Sequence, residues 1–159
     1  MFTVKGKIVF DPIDRTKKHM AQSSWKKSAI IMLECDTSDY YSWFLLKRFG
    51  LLLNRPLRGT HLTVINDKII TEEGLKYYEE AKDKWDGKMV ELTYKPDYRT
   101  DDKHYWFRVY SEEAIKIRNE AGLGKPHFGF HLTVGLVDEK RIKESEYIHR
   151  MMLMFPNNC

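Results

Sequence analysis

The chain has few cysteines and no long apolar run, and these two shortages exclude several classes of protein. Only Cys35 and Cys159 occur in 159 residues, so neither a disulfide framework nor a C-x-x-C metal spacing is available. No stretch approaches the roughly 18 apolar residues that a membrane-spanning helix requires. The first residues also lack the apolar segment of a secretory signal peptide. We therefore expect a protein of the reducing cytoplasm, with no membrane association and no metal site.

A large excess of charge of one sign is also missing. The 27 basic and 23 acidic residues leave a net charge of +4 at pH 7. This charge is too small for wrapping a long nucleic-acid duplex, but it is compatible with a local basic site for a small anionic ligand. A hydrophobic content of 42% is enough to build a core in a chain of this length. We expect a single domain over residues 1–159.

The chain does contain an internal repeat. Residues 55–64, Arg-Pro-Leu-Arg-Gly-Thr-His-Leu-Thr-Val, align without a gap with residues 125–134, Lys-Pro-His-Phe-Gly-Phe-His-Leu-Thr-Val. The proline, the glycine and the closing HLTV tetrad are identical in the two copies, and the leading residue is basic in both. Such self-similarity indicates a duplicated structural unit.

The segments around each copy also correspond. Residues 28–34 and 104–110 each predict a strand, and each is followed by a predicted helix, at 38–49 with Ser38 as its cap and from the cap Ser111 to about residue 121. Each HLTV tetrad then begins a strand, near 60–66 and 130–136. Further patterns predict strands at 3–10 and 88–94, helices at 71–85 and from about 138, and a polar loop at 96–102. We expect an α+β fold made of two related lobes.

The HLTV tetrads indicate catalytic chemistry because side chains alternate across a strand. In each copy the histidine and threonine (His61 and Thr63; His131 and Thr133) share one face, while the leucine and valine share the other. Core packing explains the repeated Leu and Val, but it gives no reason to repeat His and Thr. A neutral imidazole can remove a proton from an attacking hydroxyl or water, and a protonated one can supply a proton to the leaving oxygen. The threonine hydroxyls can donate to non-bridging phosphate oxygens. The pattern predicts metal-independent cleavage of a phosphodiester without a cofactor.

Four basic side chains just before the motif strands are candidates for binding further phosphates. They are Arg55 and Arg58 in the first copy, and Lys125 and His127 in the second. Ordinary surface charge at the entry to a strand explains them equally well. His127 and His131 are four residues apart, but Pro126 and Gly129 argue against a helix there, so this spacing does not indicate a metal pair.

Aromatic side chains near basic residues are candidates for stacking on a nucleotide base. Tyr105 and Trp106 are the two that we select. Strand alternation puts them on opposite faces, so at most one of them can face the bound ligand. Burial in the core is the ordinary alternative for such large rings. His19, His104 and His149 have no repeated partner and are expected to be surface or structural histidines.

The two HLTV tetrads resemble the H-φ-T/S-φ signature, with φ apolar, of the 2H phosphoesterase superfamily, which includes the RNA ligase-like (LigT-type) proteins. The resemblance covers the motif strands and the units over residues 28–137, whereas the first 25 or so residues look like an addition to the smallest members. It implies a bilobal, pseudo-twofold fold with two antiparallel sheets around a central groove and helices outside. It also implies that His61 and His131 are the acid/base pair and that Thr63 and Thr133 bind phosphate.

Members of that superfamily act on 2′,3′-cyclic phosphates, 2′,5′-linked oligoadenylates, RNA ends and, in phages, cyclic oligonucleotides used as antiviral signals. The small size and the lysine–aromatic composition resemble the phage proteins, so a cyclic oligonucleotide immune signal in the host cytoplasm is the specific expectation. An RNA-end 2′,3′-cyclic phosphate or 2′,5′-oligoadenylate is the alternative substrate. A nucleotide-binding sponge without turnover, or a structural component with a vestigial site, is the alternative class. No stable protein partner is expected.

Overall fold

In the described part of the chain, a seven-stranded antiparallel sheet organises the fold, with three helices packed on it. The structure is a computed structural model that describes residues 1–12, 27–56, 59–69, 71–101 and 103–137. Along the chain the elements are β1 (Phe2–Phe10), β2 (Ala29–Leu33), α1 (Thr37–Phe49), β3 (His61–Ile65), α2 (Glu72–Trp85), β4 (Met89–Tyr94), β5 (Arg99–Thr100), β6 (His104–Tyr110), α3 (Glu112–Glu120) and β7 (His131–Leu136). These elements confirm the predicted α+β class.

The sheet closes on itself. Its strand order is β4-β1-β2-β3-β7-β6-β5, and β4 also pairs with β6, so six of the strands form a ring. The sequence predicted two antiparallel sheets, whereas the described strands form one continuous sheet. Two short joins produce this closure: Leu62 of β3 pairs with Leu132 of β7, and the end of β4 at Tyr94 pairs with Val109 of β6. Apolar side chains from the strands and helices share one core: Ile8, Ile31, Leu45, Leu62, Tyr78, Leu92, Phe107, Ile117 and Leu132 are among its buried members.

The repeated sequence forms two units with the same pairing. We call β2–α1–β3 the first unit and β6–α3–β7 the second unit. In both, the strand before the helix pairs antiparallel with the HLTV strand, and a bulge interrupts the ladder at the matching place. The matched registers are Ile30–Thr63, Ile31–Leu62 and Met32–His61 in the first unit, and Trp106–Thr133, Phe107–Leu132 and Arg108–His131 in the second.

The helices are exchanged between the two units. Helix α1 of the first unit packs on β7, and α3 of the second packs on β3. The Ser42 hydroxyl of α1 donates to the Val134 carbonyl at 3.1 Å, and the Arg118 guanidinium of α3 donates to the Val64 carbonyl at 2.8 Å. Both acceptors belong to the valine of an HLTV tetrad. The reciprocal packing therefore relates the two motif strands through equivalent contacts.

The cap of α1 differs from the prediction. Asp36 is the N-cap, and its carboxylate accepts the backbone N–H of Asp39 at 3.1 Å. Ser38 lies inside the first turn, is buried, and donates its hydroxyl to the Thr133 carbonyl at 2.7 Å. The predicted cap Ser111 is confirmed, since its Oγ accepts the backbone N–H of Ala114 at 3.1 Å.

Two other predictions have different outcomes. The stretch 96–102, predicted as a loop, contains the two-residue strand β5, in which Arg99 pairs with Trp106 and Thr100 with Tyr105. A polar dipeptide carries no periodic pattern, so only the partner strand reveals it. The helix predicted from about residue 138 lies outside the described residues.

Candidate active site

The same hydrogen bond and the same glycine conformation precede each HLTV strand. The Gly59 N–H donates to the Pro56 carbonyl and the Gly129 N–H to the Pro126 carbonyl, both at 3.2 Å. The two glycines have φ of 73° and 67°, a left-handed conformation that costs glycine little but strains other residues. The repeated glycine therefore fixes the direction in which each motif strand starts.

The same turns orient the two imidazoles. His61 Nδ1 lies 2.9 Å from the Gly59 carbonyl oxygen, and His131 Nδ1 lies 3.1 Å from the Gly129 carbonyl oxygen. A carbonyl can only accept, so Nδ1 carries the hydrogen in both rings. Nε2 is then the atom at which each ring can gain or lose a catalytic proton.

The pairing of β3 with β7 brings the two tetrads together. Leu62 lies opposite Leu132 in an antiparallel register, which puts His61 opposite Thr133 and Thr63 opposite His131. Cross-strand neighbours of this kind have Cβ atoms roughly 5 Å apart, and diagonal neighbours roughly 7–8 Å. The two histidines occupy one diagonal of this four-residue cluster and the two threonines the other.

Burial divides the tetrads between core and cleft. The leucine and valine side chains of both copies are at most 1% exposed, whereas the two histidines and the two threonines are partly exposed. The face that carries the imidazoles and hydroxyls is therefore accessible to a ligand, and the opposite face holds the sheet on its core. This arrangement offers two proton-transfer groups and two hydroxyl donors to one phosphate-sized group.

A pocket of about 320 Å³ opens beside the second motif strand. Its lining combines His131 and Thr133 with two aromatic walls, Trp106 of β6 and Phe128 of the preceding turn. The Trp106 and His131 rings lie 6.4 Å apart between centroids. Phe128 is 86% exposed, an unusual position for a large apolar ring. The volume and the aromatic walls suit a nucleoside-sized group.

Asp101 and His104 complete the rim of this pocket, and the sequence did not indicate them. The Asp101 carboxylate accepts the backbone N–H of His104 at 2.6 Å and that of Lys103 at 3.1 Å, and its Oδ2 lies 3.1 Å from His104 Nδ1. The hydrogen bond from the His104 backbone, with further help from its ring, lowers the pKa of Asp101 to about 2. The aspartate is therefore ionised and holds the His104 ring in place. An Asp-x-x-His spacing at a strand entry was the available signal.

The aromatic and basic residues selected from the sequence for ligand binding do not all lie at this pocket. Trp106 lines the pocket, whereas Tyr105 packs against the core and contacts the Tyr98 ring at 6.0 Å. The exposed His127 ring is edge-on to Phe128 at 4.5 Å between centroids but does not line the pocket itself. Arg58 lies outside the described residues.

Two basic candidates are not brought into this pocket. Arg55 forms an ion pair with Asp39 of α1 at 2.6 Å. Lys125 lines a separate pocket of about 270 Å³ on the other side of the turn, together with Arg118 and Phe130. Arg118 is buried there, where it donates to the Gly124 carbonyl at 2.7 Å and to Asp67 at 2.6 Å. The hydrogen bond from Arg118 to Asp67 lowers the pKa of that carboxyl.

The described residues were also compared with the requirements of a metal site and of a membrane-spanning helix. Among residues 1–12, 27–56, 59–69, 71–101 and 103–137, no three His, Cys, Asp or Glu side chains are close enough together to hold a metal ion. None of the helices in that part of the chain has the length and apolar character needed to cross a membrane.

Comparisons with known proteins found no match. No protein-family model matches the chain, and neither a curated protein nor a solved structure does so.

Proposed function

We propose that the chain is a metal-independent phosphodiesterase of the 2H type, which cleaves a nucleotide phosphodiester with His61 and His131 as its acid/base pair. One observation carries this proposal. The Leu62–Leu132 pairing joins two identically built His-x-Thr strands, so that both imidazoles and both hydroxyls share the accessible face of the sheet. We also propose that the two units represent the two lobes of that superfamily, here joined into one closed sheet.

In the proposed reaction one imidazole takes up a proton and the other gives one up. Nε2 of the neutral histidine takes the proton of the attacking ribose hydroxyl or water as its oxygen forms a bond to phosphorus. The bond from phosphorus to the leaving oxygen breaks, and that oxygen takes a proton from Nε2 of the other, protonated histidine. The Thr63 and Thr133 hydroxyls donate to the non-bridging oxygens, where negative charge increases in the transition state.

The pocket beside His131 supports a nucleotide as the substrate. Trp106 and Phe128 can each present a ring face to a base, and such stacking contributes about 1–3 kcal/mol per base. A plain dialkyl phosphate would leave both rings unused. Within the nucleotides we favour a cyclic oligonucleotide signal, with an RNA-end 2′,3′-cyclic phosphate or a 2′,5′-oligoadenylate as the alternative.

A substrate panel in excess EDTA tests the proposal. It contains cyclic dinucleotides, cyclic trinucleotides, 2′,5′-oligoadenylate and RNA ending in a 2′,3′-cyclic phosphate, and products are identified by mass spectrometry. We expect at least one member to be cleaved at an undiminished rate in EDTA, and the double variant His61→Ala/His131→Ala to leave it intact. Cleavage that chelation abolishes would contradict the metal-independent mechanism. A member that binds tightly and is returned unchanged would identify a sponge instead.

A further inference from the structure

The two units differ at the residue that lies opposite each histidine. In the first unit the cross-strand neighbour of His61 is Met32, and in the second unit the neighbour of His131 is Arg108. The positions are equivalent in the two registers, so the repeat itself identifies the substitution. The second unit therefore places a permanent positive charge where the first has an apolar side chain.

The burial pattern of β6 shows which way Arg108 points. Its neighbours Phe107 and Val109 are buried in the core at 1% and 5% exposure, so alternation puts the exposed Arg108 on the opposite face. Trp106 lies on that same face, and its ring contact with His131 confirms that the face is shared with the motif strand. Cross-strand neighbours have Cβ atoms roughly 5 Å apart, a span that an arginine side chain exceeds easily.

Within the described part of the chain, no carboxylate pairs with the charge of Arg108. None of the ion pairs or hydrogen bonds formed among the described residues uses its guanidinium. By contrast, Arg55 pairs with Asp39, and Arg118 pairs with Asp67. An arginine opposite His131, with no acidic partner among the described residues, is suited to an anionic ligand because its guanidinium can donate two parallel hydrogen bonds to phosphate oxygens.

We propose that Arg108 binds a non-bridging oxygen of the scissile phosphate and so makes the two-histidine site asymmetric. This inference rests on the proposed function and adds a residue that the HLTV tetrads do not contain. The threonine hydroxyls are neutral donors, and the acid/base pair brings a single positive charge. Arg108 adds a second, held on the side of His131, where the aromatic pocket also lies.

Binding of adenosine 3′-monophosphate, measured by calorimetry, tests the phosphate contact without requiring turnover. The informative variant is Arg108→Met, which gives the second unit the residue of the first. We expect its Kd to rise at least about 10-fold, as for the loss of a charge-assisted hydrogen bond, with partial recovery in Arg108→Lys. The matched control Arg48→Met removes an exposed arginine from the end of α1 and should change the Kd less than about 3-fold. An unchanged Kd in Arg108→Met, or no measurable binding by the wild-type protein, would overturn the inference.

Turnover of bis(p-nitrophenyl) phosphate in EDTA separates this inference from the proposed function. Arg108→Met should lower kcat about 100-fold, as for removal of one donor to a transition-state oxyanion. If the wild-type protein binds the nucleotide through Arg108 but cleaves neither this diester nor any member of the panel, the proposed function fails and the phosphate contact remains. If Arg108→Met cleaves as fast as the wild-type protein, the inference fails and the proposed function remains. Circular dichroism confirms that each variant is folded.

Discussion

The first and second units are nearly the same around the reacting groups and differ in the residues beside them. Both have a left-handed glycine, a histidine Nδ1 on the glycine carbonyl and a bulged strand pairing. The residues paired with the threonine and histidine are Ile30 and Met32 in the first unit, and Trp106 and Arg108 in the second. Under the proposed function, the two units would share the proton transfers, whereas contacts to the ligand would be concentrated in the second unit.

The support behind the motif strands differs as well. Ser42 holds the Val134 carbonyl through one neutral hydrogen bond, whereas Arg118 holds the Val64 carbonyl, the Gly124 carbonyl and Asp67 together. Arg118 is 4% exposed, so its charge depends on these partners. The first motif strand therefore depends on the ionic contact of a buried arginine with a partly exposed aspartate, and the described residues show no such contact behind the second.

Replacement of either histidine should have the largest effect. Loss of a general acid or base lowers rates by about 10²–10⁴-fold, so His61→Ala and His131→Ala should each reduce kcat by that factor although they belong to different units. The measurement is the steady-state rate on the best substrate of the panel. His19→Ala, which removes a histidine without a counterpart in the repeat, is the matched control and should retain most activity. A near-native rate in only one of the two variants would show that the units do not share the proton transfers.

The two helix-to-strand contacts should differ in their effect on stability. Arg118→Ala leaves two carbonyls and Asp67 without their donor, so we expect the free energy of unfolding to fall by about 3 kcal/mol. Ser42→Ala removes one neutral hydrogen bond and should cost about 1 kcal/mol. Urea unfolding followed by circular dichroism measures both. An equal loss of unfolding free energy in the two variants would show that the helix contacts behind the two motif strands do not differ in strength.

The threonines should have matched, intermediate effects. Thr63→Val and Thr133→Val keep the shape of the side chain and remove the hydroxyl, so each should lower kcat by about 100-fold with little change in stability. The rates are measured in EDTA on the same substrate as the histidine variants. A loss confined to Thr133→Val would mean that the phosphate is held by the second unit alone.

Removal of the Trp106 ring should have the smallest effect and should act on binding. The stacking contribution of about 1–3 kcal/mol corresponds to roughly a 10- to 100-fold rise in KM for a nucleotide substrate. Tyr110→Ala is the control, because Tyr110 is an exposed ring on β6 that does not line the pocket. The KM of the two variants is compared on the same nucleotide substrate. A KM in Trp106→Ala no higher than in Tyr110→Ala would argue against base stacking.

The sequence predicted most elements and the division of each tetrad, because both depend on local periodicity. Strand alternation separates His61 and Thr63 from Leu62 and Val64 without any knowledge of neighbours. The α1 cap was mispredicted because Ser38 has a tertiary partner, the Thr133 carbonyl, which leaves Asp36 as the cap. Short-range patterns cannot reveal such a contact.

The rest of the site depends on strand register. Arg108 is one of many charged residues in the sequence, and only the β6–β7 pairing puts it opposite His131. The closure of the sheet has the same origin, since the Leu62–Leu132 join links segments that are far apart in the chain. Asp101 and His104 reach the pocket through a hairpin whose short strand β5 has no sequence signature.

The central claim is that the two units supply one acid and one base to a single site, and the pH dependence of kcat/KM tests it most directly. A base that must be neutral and an acid that must be protonated together give a bell-shaped profile, and imidazoles as a class exchange protons near neutrality, which places the bell between about pH 5 and 8. In excess EDTA we predict that bell for the wild-type protein. In His61→Ala and in His131→Ala, the pH profile of the residual activity should keep only one limb. One variant should lose the acidic limb and the other the basic limb. A profile with a single limb in the wild-type protein, or an unchanged bell in either variant, would contradict the account.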